Sequence, residues 1–238
     1  IDATLFNRLL NVNMEYYISN THDILLSFPM AMSTGFTGYN ANIGSMKNTG
    51  VEATIRLNWL QKHNMQGSST LMLYTNKNTV TALTGDQDEI SGTQTIKVGM
   101  PIYTYNIVKT AGVDPATGQQ LYWAYKKDDK GERIEGSDYV TANKTEAQNS
   151  KYYLDSRAPK FQGSFGSDFQ FGPVDFSFLT TFSYGGHVYE SVYAQTMEAM
   201  YYGDTWNKQI LRRWQKPGDV TDVPAVMMNS GRLATDKW

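Results

Sequence analysis

From Phe161 to Tyr184 the chain reads FQGSFGSDFQF, then GP, then VDFSFLTTFSY. In the first run Phe161, Gly163, Phe165, Ser167, Phe169 and Phe171 alternate with Gln162, Ser164, Gly166, Asp168 and Gln170. A period of two sends successive side chains to opposite faces of an extended chain, so this run predicts a strand with one apolar and one polar side. After Gly172-Pro173 the apolar series continues as Val174, Phe176, Phe178, Thr180, Phe182 and Tyr184, opposed by Asp175, Ser177, Leu179, Thr181 and Ser183. Two such runs joined by a Gly-Pro turn predict an antiparallel hairpin.

The same signature occurs earlier in the chain. From Leu10 to Ile18 the even positions are Leu10, Val12, Met14, Tyr16 and Ile18, against Asn11, Asn13, Glu15 and Tyr17. From Asn48 to Leu60, Val51, Ala53, Ile55, Leu57 and Trp59 alternate with Glu52, Thr54, Arg56 and Asn58. Charged Glu52 and Arg56 cannot share a face with an apolar surround without cost, so this strand is strictly two-sided. Met65 to Asn76 repeats the pattern less cleanly, with Met72 and Tyr74 blurring it. Five strands are therefore expected.

Their connections alternate in length. Gln61–Asn64 and Gly172-Pro173 are tight, whereas Ser19 to Lys47, Lys77 to Lys160 and everything after Gly185 are long. Structureless loops of that length are uncommon inside a soluble domain. A transmembrane β-barrel has this asymmetry, with short turns on the periplasmic side and long loops outside. The strands from Leu10, Met65 and Val174 would then run outward, and those from Asn48 and Phe161 inward. Trp59, Phe169, Phe171 and Phe176 fall at the lower rim; Tyr16, Phe161, Phe182 and Tyr184 fall at the upper. Two aromatic belts of this kind mark the headgroup levels of barrel proteins.

Composition agrees with that class and excludes others. The 238 residues carry 21 Lys and Arg against 23 Asp and Glu, a net charge of −2, so there is no basic footprint for nucleic acid. Cysteine is absent, which removes disulfides, thiolate metal sites and a cysteine nucleophile. No apolar run approaches the roughly 20 residues of a membrane-spanning helix. The start, Ile1-Asp2-Ala3-Thr4, has neither an initiator Met nor a signal pattern, so the chain is expected to begin and end within a longer protein.

Inside the long loops, Val113-Asp114-Pro115-Ala116-Thr117-Gly118 is a turn sequence between Tyr103/Tyr105 and Leu121-Tyr122-Trp123, and predicts a small hairpin. Tyr193, Met197, Met200 and Tyr201 have helical spacing, as do Trp206, Ile210 and Trp214 before the stop at Pro217-Gly218.

Gly38 to Glu52, reading GYNANIGSMKNTGVE, resembles the Asn-x-Gly…Asn-x-Gly-(Val/Phe)-Glu segment of SusC/RagA-type TonB-dependent outer-membrane transporters. Further stretches are similar and occur in the family's order. They are Tyr16-Tyr17 with Asp23-Ile24-Leu25, Gly99 to Tyr103, Gly112 to Gly118, Ala158 to Gly163, Tyr184 to Gly186, and Arg213 to Asp219. The resemblance implies that residues 1–238 form one partial domain, an all-β, antiparallel segment from the C-terminal part of a barrel of about 22 strands. The plug that fills such a barrel and the last strand would lie outside this chain. The resemblance further implies location in the outer membrane of a Bacteroidetes-type cell. It also implies uptake of oligosaccharides or peptides, a SusD-like surface lipoprotein as lid, and coupling to the TonB complex through the absent plug region. The polar faces would line the lumen and the apolar faces would meet lipid.

Within that frame Tyr103, Tyr105, Tyr122 and Trp123 are the candidate ligand-binding residues, because aromatic rings stack on sugar and peptide faces. The plain alternative is that they pack the loop hairpin. Met197, Met200, Tyr201, Trp206 and Trp214 are candidates for the lid contact, against the alternative of internal loop packing. Asp86 to Glu89 and Asp128 to Glu132 have clustered oxygens but not a full calcium-loop pattern, and read as solvated tips. His22, His63 and His187 lack metal-ligand spacing, and the sequon at Asn143 carries no weight in a bacterial chain. No catalytic motif, metal site or cofactor signature is present, so no enzyme activity is expected. Two other functions fit parts of the pattern: a siderophore or metal-chelate receptor of the same mechanism, and a secreted β-sandwich that binds carbohydrate. The sandwich requires Val51, Ile55, Phe165 and Phe178 to point at protein.

Overall fold

The computed structural model describes residues 1–30, 32–36, 38–83, 89–197, 203, 205–227 and 233–237. Thirteen strands are described: β1 (Asp2–Leu5), β2 (Leu10–Pro29), β3 (Gly38–Lys62), β4 (Met65–Leu83), β5 (Glu89–Ser91), β6 (Gln94–Ile96) and β7 (Thr104–Ile107), then β8 (Thr110–Val113), β9 (Gln120–Ala124), β10 (Tyr139–Thr141), β11 (Tyr152–Ser156), β12 (Phe161–Phe171) and β13 (Val174–Tyr184). Two short helices, α1 (Lys144–Asn149) and α2 (Ser191–Thr196), and 3-10 turns at Met32–Thr34 and Lys208–Arg212 complete the described elements. The chain divides into two compact units, one of Ile1–Ser91, Thr95–Thr104 and Asp155–His187, the other of Gly92–Gln94, Tyr105–Leu154 and Val188–Trp238.

The first unit is built on a six-stranded antiparallel sheet in the order β1-β2-β3-β4-β12-β13. Its registers turn five separate alternations into two continuous faces. Val12 lies opposite Ile55, Ile55 opposite Leu71, Leu71 opposite Phe165 and Phe165 opposite Thr180. Three residues along, on the opposite face, a row runs Glu15, Glu52, Tyr74, Gln162, Ser183. A slip of one residue in any ladder would mix these rows, so the hydrophobic pattern and the observed register support each other.

The apolar face is open. Phe165 and Phe178 are 40% and 43% exposed, and Val174, Phe176 and Tyr184 each more than 60%. Neither Val51 nor Ile55 is buried. Both buried apolar clusters among the described residues belong to the second unit, one around Val108, Tyr122 and Ala147, the other around Met197, Ile210 and Val223. A sandwich sheet would bury this face, so the four residues that such a fold would turn towards protein do not behave as a core.

Aromatic contacts gather towards the two ends of that face. Trp59 stacks on Phe169 with centroids 5.9 Å apart, and Phe161 stacks on Tyr184 at 5.3 Å. No described helix is long and apolar enough to cross a membrane, which says nothing of strands.

Three expectations are corrected. The main sheet has a sixth strand, β1, too short for any periodicity to show. It is joined to β2 by a turn in which Phe6, Asn7 and Arg8 all adopt positive φ. Asn58 braces that turn, its backbone N–H donating to the Leu9 carbonyl and its amide to the Arg8 carbonyl, at 2.8 and 2.7 Å. Second, Ser19 to Lys47 is largely strand: β2 and β3 pair up to Pro29 and Gly38. Alternation fades there because the polar run at residues 20–23 is followed by three consecutive apolar residues, Ile24-Leu25-Leu26, while backbone hydrogen bonds need no hydropathy pattern. Around Asp23, where φ is +57°, the register shifts twice, between Thr21 and Ile24 and between Ile24 and Leu25. Third, β4 continues past Asn76 to Leu83. With 20, 25 and 19 residues, β2, β3 and β4 greatly exceed the roughly 10 residues that cross an apolar band.

Candidate functional site

The polar face of the six-stranded sheet carries its own organisation. The Tyr17 hydroxyl donates to the Tyr74 hydroxyl at 3.2 Å, two strands away. It can reach because its ring lies over Gly50: a Cβ there would stand 2.5 Å from the ring and would also strike the Thr75 carbonyl. The same device recurs on the apolar face, where Trp59 lies over Gly67 and Phe182 over Gly163. Aromatic rings laid across glycines replace side-chain packing that glycine cannot provide in a sheet. Farther along the polar face, the Asn78 amide donates to Asn48 Oδ1 at 2.8 Å, and Asn78 Oδ1 accepts from the Ile102 backbone N–H at 2.8 Å. At the other end Arg56 donates to Asn58 and Ser68, both at 3.2 Å. Met72 and Leu179 are apolar exceptions on this face, each exposed.

The second unit contains the expected loop hairpin, formed by β8 and β9 around the turn at Asp114–Gln119. Asp114 closes the turn by accepting from the Ala116 N–H at 3.0 Å and from the Thr117 hydroxyl at 2.5 Å, and these bonds hold its carboxyl below the usual range. Gly118 has φ +71° and lies under Trp214. The indole N–H of Trp214 donates to the Pro115 carbonyl at 2.9 Å, and the Ala225 N–H donates to the Gly118 carbonyl at 2.8 Å. The tip is thus clamped by a segment about a hundred residues away in sequence. β10 adds to β9, and α1 follows, capped by Asn143, whose Oδ1 accepts from Thr145 N–H at 2.9 Å. The Asn143 amide in turn donates to Glu146 Oε1 at 3.0 Å, while its backbone N–H donates to the Thr141 hydroxyl at 3.0 Å.

A cationic-aromatic cluster lies nearby in the same unit. Arg133 makes a two-pronged bond to Asp138 at 2.9 and 2.7 Å and sits 5.3 and 5.0 Å from the ring centres of Tyr125 and Tyr152. The Tyr152 hydroxyl donates to Asp138 at 2.7 Å. That bond, then Arg133, holds the Asp138 carboxyl below its ordinary value, while burial and then Asp138 push the Tyr152 phenol up. A carboxylate with a lowered folded-state pKa stabilises above its unfolded value of roughly 4, and that stability is lost as pH falls through the folded pKa. Between those two values the protection of β10 and β11 amides against hydrogen exchange should therefore decline as pH drops. Asp138→Asn should flatten this dependence; an unchanged profile would show that the cluster is not coupled to the stability of these strands.

The four candidate ligand residues are placed differently. Tyr122 and Tyr105 are buried, at 5% and 6% exposure, Tyr105 accepting a hydrogen bond from the Tyr189 N–H. Trp123 is half-buried on the opposite side of β9 from Tyr122. Tyr103, 41% exposed and at φ +60°, lies under the Arg157 guanidinium at 5.5 Å. Tyr103 belongs to the first unit and the other three to the second, where Tyr122 and Trp123 lie on opposite sides of β9. Of the lid candidates, Met197 is buried against Ile210 and Val223, Trp214 clamps the hairpin, and Trp206 is exposed, while Met200 and Tyr201 lie outside the described residues. Of the acidic stretches, Asp86 to Asp88 also lie outside them, and Asp128 accepts from the Lys130 and Glu132 N–H groups to shape its own turn. No group of His, Asp or Glu able to hold a metal occurs among the described residues.

No protein-family model matches the chain. It is similar to TonB-dependent receptor P39 of Formosa agariphila, 23% identical over 95% of this chain and 25% of that protein. It is also similar to TonB-dependent receptor P26 of the same organism, 26% identical over 94% and 23%. Among solved structures it resembles the RagAB peptide transporter, with a TM-score of 0.82 and 22% identity over 97% of this chain and 25% of that one. The RagAB peptide importer in its 'closed-closed' state gives a TM-score of 0.82 and 21% identity over 98% and 26%. The chain spans about a quarter of the length of the curated relatives it matches. The resemblance to SusC/RagA-type TonB-dependent receptors is borne out in both sequence and fold.

Proposed function

We propose, from this similarity to TonB-dependent receptors over a quarter of their length, that the chain is the C-terminal barrel portion of an outer-membrane importer for oligosaccharides or peptides. The observation that carries the reading is the open apolar face of the six-stranded sheet, backed by a continuous polar face in the same register. In this reading lipid covers the first face, and the second lines a lumen closed by a plug that also contacts the TonB complex. A SusD-like lipoprotein covers the outer loops, with Trp206 a contact. The ligand meets the loops, with exposed Tyr103 and half-buried Trp123 as ring contacts and buried Tyr105 and Tyr122 holding the loop fold.

Deletion of the gene encoding the intact protein should abolish uptake of a labelled oligosaccharide or peptide pool while growth on free monomers continues. Unchanged uptake of both pools would remove the importer reading. Trp123→Ala should weaken uptake affinity about 3- to 10-fold, the scale of a lost aromatic stacking contact, without lowering the amount of assembled protein. Unaltered affinity would remove Trp123 from the ligand surface and leave the importer reading standing.

A further inference from the structure

The registers of the six-stranded sheet also fix what stands just beyond one end of its apolar face. The last ring-bearing row at that end runs Tyr16, Val51, Thr75, Phe161 and Tyr184 across five strands. Tyr16 and Tyr184 are 65% and 64% exposed, and Phe161 stacks on Tyr184, so the row presents aromatic surface outward. One step farther on the same side, β2, β3 and β4 bring Ile18, Thr49 and Lys77 into register. The next step brings Asn20, Lys47 and Thr79. Lys77 is opposite Thr49 and Lys47 opposite Thr79, so the two lysines are diagonal neighbours, about 7–8 Å apart at the backbone. Both are exposed.

None of the six residues in these two rows is acidic, and neither lysine makes an ion pair among the described residues. Lys160, next to Phe161, is by contrast committed to Asp155 at 3.1 Å. Two cations set side by side repel each other, and an anion shared between them removes that cost. A lysine also has an apolar stem and a charged tip. Just outside a lipid-facing band it lays the stem along apolar surface and lifts the ammonium to the headgroups. Aromatic rings at the edge of such a band mark the headgroup level.

We propose that Lys47 and Lys77 together bind the phosphate of an outer-leaflet glycolipid whose acyl chains lie on the apolar face below. This rests on the importer reading, which is what turns that face towards lipid. Tyr16 and Ile18 would meet the upper part of the acyl chains, and both ammonium groups would donate charge-assisted hydrogen bonds to phosphate oxygens. The partner is a lipid because the apolar row and the cationic pair are continuous on one side of the sheet. A free phosphate would use only the pair.

The test measures lipid retained by the intact protein, purified in detergent and supplied with monophosphoryl lipid A, by native mass spectrometry. Lys47→Gln combined with Lys77→Gln should weaken retention about 5- to 30-fold, the scale of two basic residues at an anionic surface. Enzymatic removal of the lipid's phosphate should weaken retention by wild type to the same extent and leave the double variant unaffected. Lys127→Gln combined with Lys130→Gln removes the same charge from exposed positions in the second unit and should change nothing. An equal loss in that control, or displacement of the lipid by millimolar inorganic phosphate, would overturn the proposal. Saturable lipid retention that neither Lys47 nor Lys77 influences would remove the phosphate site and leave the lipid-facing sheet standing. No lipid retention at all, with the protein absent from outer-membrane fractions, would remove the importer reading as well.

Discussion

Ile55→Arg is expected to lower the assembled protein in the outer membrane at least thirty-fold, while Thr54→Arg leaves it near the wild-type level. The two positions are neighbours in sequence and opposite in environment. Ile55 lies between Val12 and Leu71 in the apolar row. An arginine near the middle of a lipid-facing strand costs about 2 to 4 kcal/mol, and each 1.4 kcal/mol is a factor of ten. Thr54 faces the other way, between Asn13 and Met72, one row from Glu52 and in an open depression with Gln162 and Ser183. A guanidinium there keeps its water and gains a nearby carboxylate. The level of heat-modifiable protein in outer-membrane fractions of cells carrying each variant measures both effects. Equal losses for the two would mean that the faces do not divide lipid from water.

Gly118→Val is the second large effect, and it acts in the loops. A valine at φ +71° costs about 1–2 kcal/mol in backbone strain alone. Its Cβ would also stand 2.5 Å from the Trp214 indole and 2.9 Å from Ala225, which calls for displacement of the clamp. Overpacking of this kind adds about 1–3 kcal/mol. The hairpin tip should therefore come free, and limited proteolysis of the purified protein should cut between Trp206 and Met227 at least ten times faster than in wild type. Trp214→Gly in the same chain removes the collision but not the strain, so the double variant should lose less than the two single losses added together. Strict additivity would show that the indole does not press on Gly118.

How far the sequence discloses this architecture depends on what each region needs in order to form. The bounds of β12 and β13 coincide with the expected ones because an uninterrupted alternation is punctuated by Gly172-Pro173. The upper halves of β2 and β3 were not legible: beyond Ser19 a polar run and then consecutive Ile24-Leu25-Leu26 break the period of two, so hydropathy carries no phase. The loop aromatics show a related limit. In a strand of five residues such as β9, the sequence does not say whether Tyr122 or Trp123 points inward, and covering elements from elsewhere decide. The clamp of Trp214 on Gly118 is invisible for the same reason, since it joins two places whose separate sequences suggest only a turn and a helix. What the sequence did disclose was the family motif set and the two-sidedness of the strands, because both are local.

The two units are interleaved along the chain, and this bears on the order of assembly. The sheet leaves off at Leu83 and resumes at Phe161, while the loop unit is itself interrupted by the β12–β13 hairpin before supplying Trp214 and Ala225. Pairing β12 with β4 closes a long excursion, and loop-closure entropy makes such contacts slower to form than the local hairpins β2–β3, β3–β4 and β12–β13. The segment within that excursion has its own buried cluster at Val108, Tyr122 and Ala147, and once ordered it shortens the effective loop that β12 must close. The hairpin clamp, by contrast, waits for residues synthesised after β13. During folding, then, the strands of the six-stranded sheet zip early and the second unit is finished later, leaving its aromatic surfaces uncovered until Trp214 and Ala225 arrive.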